Sequence, residues 1–290
     1  MKYRSTISTC CLLTALLIPR IAESQVLGTL RSQVREQPSV PAQPAPPSPK
    51  KEDKQRSRRA KATLSLDDDS TDNIIGETIV YGSLFVVSSP FIVPRYLLED
   101  EGTTALFPDY PYDGQLTAMT FDLNAPGIQD RTWIFQADTG TNFDGLLKTH
   151  GRLIADTNSR FGIDSEFYHW YERFNGGSDP LWTGDVNLVY RFAQSETWQF
   201  RAGLGMNWLA DHLGAEAGIN ATYSAEWFPR DPWFYSGSID WGRLGDSSLF
   251  HVRNTVGVTH NGWGVFTGHD YFHMSNLDTH AWINGLEFRY

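Results

Sequence analysis

The sequence predicts an all-β protein: an antiparallel up-and-down transmembrane β-barrel of about ten strands over residues 131–290, preceded by a disordered N-terminal tether. Three observations predict it. Residues beyond 131 alternate apolar and polar side chains with period two, in runs of ten to fourteen closed by turn residues. Aromatic residues mark both ends of the apolar face, eight to ten positions apart. No run of eighteen apolar residues exists to supply a membrane-crossing helix.

Residues 1–24 open with Lys2 and Arg4, continue through the apolar run Leu12 to Ile18, and end in Ala22-Glu23-Ser24, the pattern of a cleaved signal peptide. Both cysteines, Cys10 and Cys11, fall inside it, so the exported chain is expected to carry no disulfide. Residues 25–72 join a Pro-rich stretch, Pro38 to Pro49, to a basic run from Lys50 to Lys61 and then to Asp67-Asp68-Asp69. So little apolar surface cannot offset the entropy of ordering, and the segment reads as a disordered tether. Its basic part, residues 50–61, could touch anionic cell-envelope polymer. After residue 63 only twelve of the chain's 24 Lys and Arg remain, against thirty of its 34 Asp and Glu. So acidic a body argues against nucleic acid as a partner, because phosphate binding needs basic surface. Residues 73–130 read as an irregular cap or plug, or as two further strands at 78–86 and 115–123.

Ten strands are expected at 131–139, 146–157, 160–173, 181–194, 197–210, 215–228, 232–244, 248–260, 262–274 and 279–290, though eight or twelve would also satisfy the pattern. The alternation is clearest where Trp198, Phe200, Ala202, Leu204, Met206 and Trp208 oppose Gln199, Arg201, Gly203, Gly205 and Asn207. Four features turn the apolar face outward. The first is an aromatic girdle at two levels: Trp182, Phe192, Trp198, Trp208, Trp227, Trp233, Trp241, Trp263, Tyr271, Trp282 and Tyr290. At roughly 3.3 Å per residue and a tilt near 40°, the paired aromatics stand about 20–25 Å apart, the height of an outer-membrane apolar band. The second is alternation of tight turns with longer connections, the longer ones at 140–145, 174–180, 211–214, 242–247 and 275–278. The third is a polar face rich in Gly, Asp, Glu and Arg, with Lys148 the only lysine after residue 61. The fourth is the C-terminus, where Leu286, Phe288 and Tyr290 alternate with Gly285, Glu287 and Arg289.

On these residues the segment resembles small bacterial outer-membrane β-barrel proteins, whose last strand ends on an aromatic and is read by the barrel assembly machinery. The resemblance is to an architecture and an assembly signal. It implies outer-membrane lipid as partner and the outer membrane of a Gram-negative-type bacterium as location.

Strand parity directs Asp164, Glu166, Glu172, Asp185, Arg191, Arg201, Glu226, Asp240, Arg253, Asp270, Glu287 and Arg289 into the lumen, where such charges must neutralise one another. Histidines gather late, at His251, His260, His269, His273 and His280, near Ser275. His273, His280 and Asp278 are the candidates for a catalytic site at the outer rim, although parity sends His269 and His273 outward. No Gly-x-Ser-x-Gly or His-Glu-x-x-His pattern occurs, and neither a metal nor a cofactor is expected. Gly-rich residues 175–179 read as an exposed loop. The leading expectation is a non-enzymatic barrel that is structural or conducts small solutes poorly. The alternatives are a barrel enzyme acting on lipid or peptide at the outer rim, and a secreted soluble barrel with a ligand inside.

Overall fold

The computed structural model describes residues 26–35, 88–114, 116–174, 177–275 and 277–290. Ten antiparallel strands close into a barrel: β3 (Arg131–Thr141), β4 (Leu146–Thr157), β5 (Phe161–Phe174), β6 (Gly177–Gln194), β7 (Trp198–Asp211), β8 (Gly214–Arg230), β9 (Trp233–Leu244), β10 (Ser247–His260), β11 (Trp263–Met274) and β12 (Leu277–Arg289). Each strand pairs with its sequence neighbours, and β12 returns to β3, so no edge is left open. The expected C-terminal residue completes the seam: the Tyr290 and Trp133 backbones exchange hydrogen bonds of 2.6 and 2.9 Å. Among the described residues no helix is long and apolar enough to cross a membrane.

Polarity is inverted relative to a soluble barrel. Leu204 is 73% exposed and Leu188 62%, whereas Arg191 and Arg201 are 0% exposed. The predicted aromatics all lie on the outer wall. Phe192, Trp198, Trp227, Trp233, Trp263 and Tyr290 ring the end that holds Arg131 and Tyr290, here the near end. Trp182, Trp208, Trp241, Tyr271 and Trp282 ring the far end. Among the tryptophans Trp170 alone is buried, inside the barrel, with its indole N–H donating to Thr183 Oγ1 at 2.8 Å.

Three expectations are corrected. The connections do not alternate in length. β6 begins at Gly177, where Gly177, Ser178 and Asp179 pair with Phe174, Arg173 and Glu172, so the expected loop over 175–179 is mostly strand. Turns of two to four residues close both ends of the barrel, and β7–β8, β9–β10 and β11–β12 meet at the far end through two residues each. Residues 26–34, expected in the tether, form helix α1 (Val26–Val34) inside the far mouth, because one of its faces finds an apolar surface there. Residues 36–72 of the expected tether, residues 1–24 and the expected strand at 78–86 fall outside the described residues. Residues 115–123 add no barrel strand. They pair instead within a cap, through the Leu106–Thr120 bridge beside the short β1 (Phe107–Pro108) and β2 (Ile128–Gln129).

A second helix, α2 (residues 88–97), lies against the outer wall near the near end, where Phe91 meets Phe192 and Tyr223 edge-on at 5.2 and 6.0 Å. Positive φ at Glu99 and Gly102 then turns the chain over the near rim and into the cap.

Candidate functional site: a charged lumen closed at both mouths

Small residues on the inner face let the wall coil tightly. A Cβ on Gly205 or Gly218 would run into backbone of a facing strand, at the carbonyls of Val186 and Arg243. Long polar side chains project into the space left and are buried there.

Every lumen residue expected from strand parity is buried. Near the near end, Arg201 joins Asp156 at 2.6 Å and Glu226 at 2.8 Å, and Arg289 joins Glu226 at 2.5 Å. Glu287 takes both Arg289 and the Gln136 amide, the latter at 2.6 Å. Arg191 reaches Asp156 at 3.5 Å and Gln194 at 2.7 Å. Toward the far end, Arg152 holds Asp164 at 2.5 Å and Glu166 at 3.1 Å, while His150 bridges Asp138 at 2.6 Å and Glu166 at 3.6 Å. Arg253 contacts Asp138 and lies 3.4 Å from Asp270, which also takes Lys148. His251 sits between Asp240 at 3.3 Å and Asp270 at 3.1 Å. Asp185 accepts from the Asn187 amide at 2.7 Å and, among the described residues, has no Lys or Arg partner. In such an interior a carboxylate left unpaired would be costly, so these pairs hold the strands in register from within.

Parity over the earliest strands left out Asp138, Lys148, His150, Arg152 and Asp156. All five alternate strictly along β3 and β4, and that spacing was the available signal. Glu166, Asp240 and His251 bring potential ligand atoms within 4.8 Å of one another, the closest approach to a metal-binding group among the described residues. Protein groups already engage all three: Arg152, His150 and Tyr168 on Glu166, and His251 between two aspartates.

Both mouths are covered. At the far mouth Leu27, Leu30 and Val34 of α1 are buried on a collar that includes Leu146, Trp170, Leu181, Leu209, Leu244 and Phe272. The Glu172 carboxylate accepts from the Val26 and Leu27 amides at 2.7 and 2.9 Å, satisfying helix N-terminal donors. Arg31 binds both Asp179 and Asp211, the latter at 2.5 Å, and donates to the Pro180 carbonyl at 2.8 Å. Arg35 adds a second contact to Asp211 at 2.9 Å.

At the near mouth Phe107 (2% exposed) lies under the Arg191 guanidinium, 5.0 Å from ring centre to Cζ, and packs with Ala105 and Met119. Tyr112 donates to the Trp233 carbonyl at 2.6 Å, and burial pushes its phenol up to about 12. Where the chain crosses the rim, Asp100 accepts from Arg160 at 2.5 and 2.7 Å. Burial alone would raise the Asp100 carboxyl. The hydrogen bonds from Arg160 and the Gly102 amide outweigh it and hold the group below its ordinary 3.8.

The outer-rim candidates are also brought together, on the outside wall at the far end. Asp278 Oδ1 accepts from His273 Nδ1 at 2.8 Å and from the Tyr271 hydroxyl at 2.6 Å, and His280 lies 3.3 Å from His269. Among the described residues no Ser or Thr hydroxyl bonds to His273 or His280. Neither a protein-family model nor a curated protein sequence matches this chain.

Proposed function

We propose that the protein is an integral outer-membrane β-barrel held closed, an envelope component that is structural rather than an open channel. The observation that carries this reading is the inverted polarity: an apolar outer wall with two aromatic rings around an interior of buried ion pairs. In water such a wall would be a large exposed apolar surface, which soluble monomers avoid. The same contrast disfavours a soluble barrel with an interior ligand, since the interior is occupied by its own side chains. In this reading residues 1–24 are the export signal, the near end faces the periplasm, and Leu286, Phe288 and Tyr290 present the strand that the assembly machinery reads. The basic residues 50–61 remain candidates for contact with anionic envelope polymer.

The test joins location to conductance. The protein should fractionate with outer membranes, resist extraction by alkaline carbonate, and shift on unheated gels as folded barrels do. Reconstituted in a planar bilayer, it should show no steady current. Recovery as a detergent-free soluble monomer would overturn the membrane reading, and a steady open conductance would overturn the closed one.

The Tyr271–Asp278–His273 arrangement supports a second reading, an enzyme acting on lipid or peptide at the outer rim. Asp278 could orient His273 as a general base. Among the described residues no hydroxyl nucleophile is bonded to the histidine.

A further inference from the structure

Helix α2 reverses the usual polarity of a surface helix. Its inner side meets the barrel through Phe91, and the Tyr223 hydroxyl donates to the Pro90 carbonyl at 2.9 Å. The side turned away from the barrel carries Ile92, Val93, Tyr96 and Leu97, with Ile92 54%, Tyr96 81% and Leu97 71% exposed. At 100° per residue these four fall within one arc, so the exposed stripe is continuous. Arg95 is the only ionisable side chain in the helix other than Tyr96, and the acidic residues Glu99, Asp100 and Glu101 begin only where the chain reaches the near rim. A helix beside water would carry the opposite pattern.

Position sets the stripe beside the barrel's apolar outer wall. Phe192 and Tyr223, which α2 covers, belong to the outer apolar wall, and Phe192 belongs to the near aromatic ring. The stripe therefore continues the barrel's own apolar belt sideways. Between α2 and β6 lies a groove of about 800 Å³ lined by the rings of Phe91, Tyr96, Tyr190 and Phe192, with Arg95 and the three acidic residues at 99–101 completing its wall. Its aromatic walls suit an acyl chain, and its charged residues lie toward the rim, where the chain leaves the apolar belt.

Resting on the membrane-barrel reading, we propose that α2 is a lipid-contacting helix: its outward face lies among the acyl chains of the near-end leaflet, beside β6–β8, and widens the lipid-facing surface there. It enters the bilayer from the side while its C-terminal end stays pinned at the rim by Asp100 and Arg160.

The test uses the full chain with Cys10→Ser and Cys11→Ser, carrying single cysteines at Leu97, at Tyr96 as a second helix position, at Leu204 on the belt, and at Glu196 in a near-end turn. Each variant is nitroxide-labelled, checked for the folded gel shift, and reconstituted in phosphatidylethanolamine–phosphatidylglycerol vesicles. Collision of the label with oxygen is then compared with collision with a water-soluble nickel chelate. Labels at 96, 97 and 204 should all favour oxygen, and the label at 196 should favour nickel. A label at 204 that favours oxygen, with labels at 96 and 97 that favour nickel, overturns the α2 proposal and leaves the barrel reading standing. A label at 204 that favours nickel overturns the barrel reading, and the helix proposal with it.

Discussion

Closure of the far mouth depends on one side chain more than on any other, and Arg31→Ala tests it. Nine residues are too few to hold a helix in water unaided, so α1 persists only through its seat. Part of that seat is apolar, with Leu27, Leu30 and Val34 buried on the collar. The rest is ionic. Arg31 spans two carboxylates, Asp179 and Asp211, that belong to different strands, and the Asp211 side chain is shielded from solvent. Removing the guanidinium leaves both with less compensation, although Arg35 still reaches Asp211. Breaking one side of a buried pair costs about 3–5 kcal/mol, and the remaining arginine and partial exposure place this case near 3. At 1.4 kcal/mol per decade that raises the population of undocked α1 roughly a hundredfold.

Hydrogen exchange read by mass spectrometry on peptides covering 27–34 measures that population directly. Protection there should fall about a hundredfold in Arg31→Ala while the β10–β12 peptides stay unchanged. Arg31→Lys should recover only part of it, because an ammonium cannot bridge two carboxylates and a carbonyl as the planar fork does. Unchanged protection in Arg31→Ala would refute the idea that the ionic contacts lock the helix in place.

Other consequences follow from the same geometry. Reconstituted in lipid vesicles, the Leu204→Arg variant should be destabilised by about 2–4 kcal/mol in urea unfolding if the outer wall meets lipid, as cations near a bilayer midplane are, whereas an aqueous outer wall would accept it without loss. Arg201→Met strands Asp156 and Glu226 and should cost about 3 kcal/mol, part of which returns when both acids are also made amides; no loss would mean that the lumen charges do not support the fold. Because Asp100 titrates below its unfolded value of 3.8 in the folded protein, its contribution is fully present above that pH and is lost as pH falls through the folded value. A nitroxide at Tyr96 should therefore gain mobility only below about pH 3.8, and Asp100→Asn should show the mobile spectrum at neutral pH. His273→Ala should leave membrane lipid profiles unaltered if the barrel is not an enzyme, where a general-base role would predict roughly a 10²–10⁴-fold loss of turnover.

How much the sequence revealed depended on whether a residue's environment repeats. Trp198 to Trp208 alternates against Gln199 to Asn207 without a break, so the barrel wall, both aromatic rings and most of the lumen network could be read directly. On β4 the inward charges Lys148, His150 and Arg152 face away from Leu147, Thr149 and Gly151, an outer face too weakly apolar to advertise its direction. Gly177 to Asp179 carry the composition of a turn yet extend a strand, because β5 offers them a partner, and pairing is decided by the neighbour rather than by local propensity. Helix α1 left a trace in the spacing of Leu27, Leu30 and Val34, but two turns set between the apolar run of residues 12–18 and a proline tract carry little periodicity of their own.

The two closures share a construction that neither would show alone. Each combines apolar side chains set in a mouth with arginine–carboxylate contacts near a rim: Arg31 on Asp179 and Asp211 at the far end, and Arg160 on Asp100 at the near end. The barrel's own ion pairs lie between them and link strands to strands, as Arg201 links β4 to β8 through Asp156 and Glu226. Wall and closures thus rest on largely different charges, with Glu172, which also caps α1, and Arg191, which also packs on Phe107 of the cap, shared between them. Loss of either rim contact should free its closure without loosening the strands, so a device that opened this barrel would act at Asp211 or Asp100 and leave Glu226 untouched.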